Sequence, residues 1–138
     1  STLPNTFVKE SLIANTLPIY KGYKLIRPEV AIHNHRIDFL LENQSGIPFY
    51  LEIKSVTYVQ KGVAKFPDAV TRRGFLHLKL LQDLISQGYQ AGVLFVCQRK
   101  DALSSKYCAI VCAPASLILC LPMYNSCITR FVRIIFAI

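Results

Sequence analysis

Between two runs of strand-forming residues, Arg36 to Glu42 and Phe49 to Val59, lies the segment Asn43-Gln44-Ser45-Gly46. A short Asn/Ser/Gly stretch between alternating apolar runs specifies a hairpin. With Gln44, Ser45 and Gly46 as a three-residue loop and Gly46 left-handed, Glu42 faces Pro48, and each step back along one strand meets a step forward along the other. Asp38 then lies opposite Glu52, and Arg36 opposite Lys54. Strand side chains alternate, so Glu52 and Lys54 share one face while Leu51 and Ile53 take the other.

The flanking segments supply the rest of an α/β pattern. Phe7, Val8, Leu12 and Ile13 fall on one side of a short first helix, capped by Asn5 or Thr6 and ended by Pro18 and Gly22. Tyr23 to Ile26 and Glu29 to Ile32 read as a strand interrupted at Pro28. Thr71 can cap a second helix that runs to about Gln87, buries Leu78, Leu81, Leu84 and Ile85, and stops at Gly88. Ala91 to Cys97 is an apolar, buried strand. The order helix, three strands, helix, strand predicts a sheet with at least one crossover helix.

At 138 residues the chain has room for one core. Its formal net charge of +8, with 52% hydrophobic residues, excludes a disordered basic tail and favours a polyanionic partner. Nucleic acid leads and a membrane surface follows. Charge is unevenly placed: residues 1 to 102 hold all eight acids, whereas the 36 residues from Leu103 onward hold three cations, no acid and four of the five cysteines. We therefore divide the chain into an α/β domain over 1 to 102 and an atypical apolar, Cys-rich tail over 103 to 138. The odd cysteine count and the lack of a secretory pattern at the start fit a reducing cytoplasm. Ser1 in place of Met suggests a fragment that has lost upstream sequence.

Two carboxylates facing each other on neighbouring strands repel unless something compensates. A hard divalent cation, Mg²⁺ or Mn²⁺, does so best. It takes carboxylate oxygens from Asp38 and Glu52 and keeps positions for a phosphate and a water. Lys54 would then orient that water or offset charge in the transition state. Such a site cuts phosphodiesters. The plain alternative is an exposed hairpin face with ordinary cross-strand charge pairs, but Asp38 and Glu52 stand in apolar surroundings, Ile37-Asp38-Phe39 and Leu51-Glu52-Ile53, where an uncompensated acid is costly.

Arg36-Ile37-Asp38-Phe39-Leu40-Leu41-Glu42, Leu51-Glu52-Ile53-Lys54-Ser55-Val56-Thr57, Phe66-Pro67-Asp68-Ala69-Val70-Thr71-Arg72-Arg73-Gly74 with His77, and Phe95-Val96-Cys97-Gln98-Arg99 together resemble the sugar fermentation stimulation protein A family. With Leu3-Pro4-Asn5 and Glu10, the likeness covers about residues 1 to 102. It implies a restriction-endonuclease-like, PD-(D/E)XK mixed sheet flanked by helices, with Asp38, Glu52 and Lys54 as signature residues. It also implies DNA binding linked to regulation of sugar, notably maltose, metabolism. By position, Glu10 is a further acid for a metal, and Asp68, Thr71, Arg73, Gly74 and His77 belong to the family block. The sequence departs from the family in three ways: an OB-like front domain is missing, Arg72 and Phe75 replace the usual Glu and basic residue, and the family ending after Asp101 is absent. A frameshifted or degenerate gene end is the expected source of the tail, and sequencing the gene tests this.

Lys61, Lys65, Arg72, Arg73 and Lys79 lie close in sequence between the third strand and the second helix, and are read as a track for a phosphate backbone, against an ordinary solvated basic surface. His77, four residues after Arg73, is grouped with them as a phosphate contact or proton carrier, although a histidine on a helix flank is more often a partly buried hydrogen-bonding residue. His33-x-His35 and Cys108-x3-Cys112 lack a second pair at zinc spacing and are read as solvated histidines and an apolar cysteine face. The 23 uncharged residues from Tyr107 to Thr129 are long enough to cross a bilayer, but Pro114 and Pro122 favour a buried core or misfit tail. The leading expectation is a DNA-binding protein with a Mg²⁺-dependent phosphodiesterase site and no small-molecule cofactor. A non-catalytic DNA-binding regulator and a decayed fragment are its competitors.

Overall fold

Gly46 adopts a φ of 76° and its N–H bonds to the Asn43 carbonyl, closing the hairpin loop as expected. Asn43 reinforces it, its side-chain oxygen accepting from the N–H groups of Ser45 and Ile47. The loop joins two antiparallel strands, β2 (His35–Glu42) and β3 (Pro48–Val56), with Glu42 paired to Pro48 and Phe39 to Leu51. These features come from a computed structural model that describes residues 3–17, 20–56, 58–60, 63–66, 72–97, 109–110, 117–119 and 130–135.

The remaining elements are α1 (Leu3–Ile13), β1 (Lys24–Ile32), β4 (Tyr58–Gln60), β5 (Val63–Phe66), α2 (Arg72–Ser86), β6 (Gln90–Cys97), β7 (Ala109–Ile110), β8 (Leu117–Leu119) and β9 (Arg130–Ile135). The main sheet runs β1-β2-β3-β6-β9-β8, and β4-β5-β7 form a smaller one. β3 and β6 are parallel, a pairing that requires the crossover supplied through α2, whereas the other neighbours in the main sheet are antiparallel. The fold is thus α/β on a mixed sheet. In the stretch from Leu103 onward, the described pieces are strands: β9 pairs with β6, and β8 with β9.

Several local expectations change. Asn5 and Thr6 do not cap α1; they lie inside it, because Pro4, with its fixed φ and missing N–H, suits the first turn and the helix starts before them. The helix ends sooner than Pro18: Asn15 is left-handed at 55° and the Thr16 N–H bonds to the Ser11 carbonyl, a Schellman-type stop. β1 runs through Pro28 without a break, since an edge strand tolerates a residue that cannot donate. In α2 the buried residues are His77, Leu80, Leu81 and Leu84, with Leu78 and Ile85 only half-buried. The stripe is shifted because His77 has a partner beneath the helix.

Val8 and Leu12 of α1 pack with Phe39, Leu41, Phe49, Leu51, Ile53, Leu94 and Val96 in one cluster. Phe49, Leu51 and Ile53 alternate along β3, so Glu52 points to the opposite face, where α2 lies. The two helices therefore cover opposite faces of the sheet. Among the described residues no helix is long and apolar enough to cross a membrane, and most of the run from Tyr107 to Thr129 lies outside them.

Candidate functional site

The β2–β3 ladder stops at Phe39–Leu51, and the two acids lie immediately beyond it. There the Asp38 carboxylate replaces the missing backbone partner: its Oδ2 accepts from the Ile53 N–H at 2.7 Å. Its Oδ1 accepts from Asn5 Nδ2 on α1 at 2.8 Å. Burial raises the Asp38 pKa above its ordinary 3.8, and the Glu52 charge pushes it the same way, against the pull of Ile53, Asn5 and Lys54. The charge on Glu52 thus acts on Asp38, but the expected pairing of the two residues does not form: the ladder ends at Phe39–Leu51, and Asp38 is held from α1 while Glu52 is held from α2.

The expected pairing of Arg36 with Lys54 does not form, because the ladder ends short of both. Exposed Arg36 stands 4.0 Å from Glu29, and Lys54 Nζ turns to Glu52 Oε1 at 2.6 Å. His77 Nδ1 lies 2.6 Å from that same Oε1. Glu52 is 3% exposed, and its Oε2 is buried with no hydrogen-bond partner. His77, also buried, is met edge-on by His35 with ring centroids 5.6 Å apart. His77 is thereby corrected from a phosphate contact beside Arg73 to an internal residue. His33 is exposed and left-handed in the β1–β2 turn.

Asp38 also opens onto a cavity of about 440 Å³ whose walls include Asn5, Lys9 and Glu10 of α1 and Pro28 and Glu29 of β1. Glu29 carries a φ of 51°, which costs a non-glycine residue roughly 1–2 kcal/mol. It falls between the pairs Pro28–Phe39 and Val30–Ile37, which puts it across from Asp38 in the register. Glu10 is exposed on α1. Among the described residues no three His, Cys, Asp or Glu side chains gather as a metal-holding group, so Glu10 does not join Asp38 and Glu52 in a three-acid set.

Of the expected cation track, Arg72, Arg73 and Lys79 are exposed on α2, with Gly74 half-buried between them. Lys65 belongs to β5, while Lys61, Asp68 and Thr71 lie outside the described residues. Sequence reasoning gave Asn5 only as a cap and as part of the family likeness and gave Glu29 no role, and it read as solvated His35, which is half-buried against His77.

The chain matches the family described as "Sugar fermentation stimulation protein RE domain" over residues 2–110. It is 47% identical over 104 residues to a sugar fermentation stimulation protein homolog of Moorella thermoacetica, covering 75% of this chain and 45% of that protein. A homolog from Clostridium tetani is 46% identical over 101 residues, covering 73% and 44%. The solved structure of Pyrococcus furiosus SfsA in complex with Ca²⁺ aligns with a TM-score of 0.61 and 28% identity, over 67% of this chain and 40% of that one. The chain thus spans less than half the length of these relatives. By the extent of the family match and the identity to these homologs, the chain belongs to the sugar fermentation stimulation protein family.

Proposed function

We propose that the chain is a DNA-binding, restriction-endonuclease-like domain whose Asp38 and Glu52 hold a divalent cation, Mg²⁺ or Mn²⁺, for phosphodiester hydrolysis. One observation carries this reading: Glu52 Oε2 is buried with no hydrogen-bond partner, and the charge of Glu52 is felt at the Asp38 carboxylate, whose pKa it helps burial to raise. An orphaned acceptor of that kind is costly unless a ligand uses it. The Ca²⁺ complex of the Pyrococcus furiosus relative is consistent with a hard-cation site in this fold.

Asp38 and Glu52 would supply one oxygen each, and the cation, when bound, provides charge compensation and a water of lowered pKa. The chain's own residues do the rest. Asn5 and the Ile53 N–H fix the Asp38 carboxylate, which leaves little freedom to its oxygens. Lys54, at the rim with its side chain 20% exposed, exchanges its contact with Glu52 for the phosphate and offsets the negative charge that develops there. Arg72 and Arg73 hold the flanking backbone by charge alone, and so without base preference.

The test is cleavage of plasmid and single-stranded DNA with Mg²⁺ or Mn²⁺ by the wild type, Asp38→Ala and Glu52→Ala. Loss of cleavage in both variants is expected. Equal cleavage in all three refutes the catalytic assignment.

A further inference from the structure

Lys54 faces conflicting demands. Its ammonium group is bound to Glu52 Oε1, yet it is also the cation that must reach a phosphate. When it leaves, Glu52 needs another anchor, because a glutamate held through one flexible lysine regains rotation about its terminal bonds. His77 approaches the same oxygen from a different element and at the same 2.6 Å distance. Against an ionised carboxylate, which only accepts, Nδ1 carries the proton.

The histidine is itself held in place. Its side chain is 9% exposed, Leu80, Leu81 and Leu84 bury the same side of α2, and the His35 ring closes edge-on against it. Few rotamers remain open to it, so it fixes the carboxylate at little further entropic cost. With Oε1 taken by His77, the orphaned Oε2 is the oxygen left to meet an incoming ion.

We infer that His77 is a positioning residue: from α2 it holds Glu52 Oε1 so that Oε2 stays aimed for a divalent cation while Lys54 is free to move. The inference rests on the reading of Asp38 and Glu52 as cation ligands. Partners that orient a ligating carboxylate in this way typically contribute about 10–100-fold to metal affinity.

The test is calorimetric Mn²⁺ affinity of the full 138-residue chain in its wild-type, Glu52→Gln, His77→Leu, His77→Asn and His77→Gln forms, with a urea melt of each. Asparagine puts its amide nitrogen where Nδ1 stood, whereas glutamine reaches the place of Nε2. His77→Leu should weaken Mn²⁺ binding about 10–100-fold, and His77→Asn should restore most of it. Wild-type affinity in His77→Leu, alongside lost binding in Glu52→Gln, overturns the positioning role and leaves the cation site standing. Unchanged binding in Glu52→Gln removes the site itself, and the role of His77 with it. Should His77→Leu fail to fold, Asn against Gln decides: tighter binding by Asn supports the inference, and equal binding overturns it.

Discussion

Replacing Asp38 by Ala and by Asn separates its structural role from its proposed chemical one. Asp38→Ala removes the acceptor for the Ile53 N–H at the point where the sheet offers no other. Ile53 is 6% exposed, so the orphaned donor costs about 1–3 kcal/mol, and a loss near 2 kcal/mol lowers Tm by about 5–10 °C in a domain of this size. Asp38→Asn keeps an oxygen for Ile53, leaves Asn5 to turn its amide oxygen toward the new NH2 group, and removes a charge that burial and Glu52 both penalise. In metal-free buffer it should therefore melt at or above the wild type. The direction of the pKa shift fixes how that advantage depends on pH. The folded state holds the Asp38 proton more tightly than the unfolded state, so wild-type stability falls as pH rises from the unfolded value of 3.8 through the raised folded one, then levels off. Below 3.8 both states are protonated, and the gain of Asn over Asp should vanish. Calorimetric melts of the three proteins from pH 3 to 8 read all of this. Coincident melting of Ala and Asn variants at neutral pH would refute the claim that Asp38 anchors Ile53.

Gly46→Ala should cost about 1–2 kcal/mol in a urea melt: an added Cβ meets nothing within 4 Å, so the loss comes wholly from the left-handed backbone. An unchanged midpoint would mean the loop reshapes freely. Arg72→Gln with Arg73→Gln should reduce the slope of log Kd against log salt by about 2 for a labelled duplex, measured by fluorescence anisotropy, because each lost phosphate contact removes about 0.9. An unaltered slope would take the first turn of α2 off the path of the DNA.

What the sequence made legible was local. Gly46 and the alternation on either side of it announced the hairpin and its register, and Gly88, left-handed at 93°, marked the end of α2. That register brought Asp38 and Glu52 to the end of the β2–β3 ladder, but it did not foretell that α1 would hold the one and α2 the other. Asn5 was obscure because its hydrogen bond crosses 33 residues to Asp38, and within helix α1 nothing distinguishes it from a cap. Of the two readings of His77 the hydrogen-bonding one holds and the phosphate contact does not, and its partner was hidden for the same reason. Its spacing from Arg73 suggested a shared outer face, while the partner that draws it inward, Glu52, lies 25 residues earlier on another element. Local patterning reports which residues neighbour one another along an element, and it is blind to a polar contact made across a packed interface.

The border strand β1 carries a further consequence. Its ladder slips between Leu25 and Arg27, Pro28 offers no N–H, Glu29 turns left-handed, and Lys24 and Arg27 are exposed. A foreign chain seeking to zip onto this rim would find donors missing, spacing broken and positive charge in the way. The same irregularity that gives Asp38 room thus also guards the molecule against self-association through its open flank.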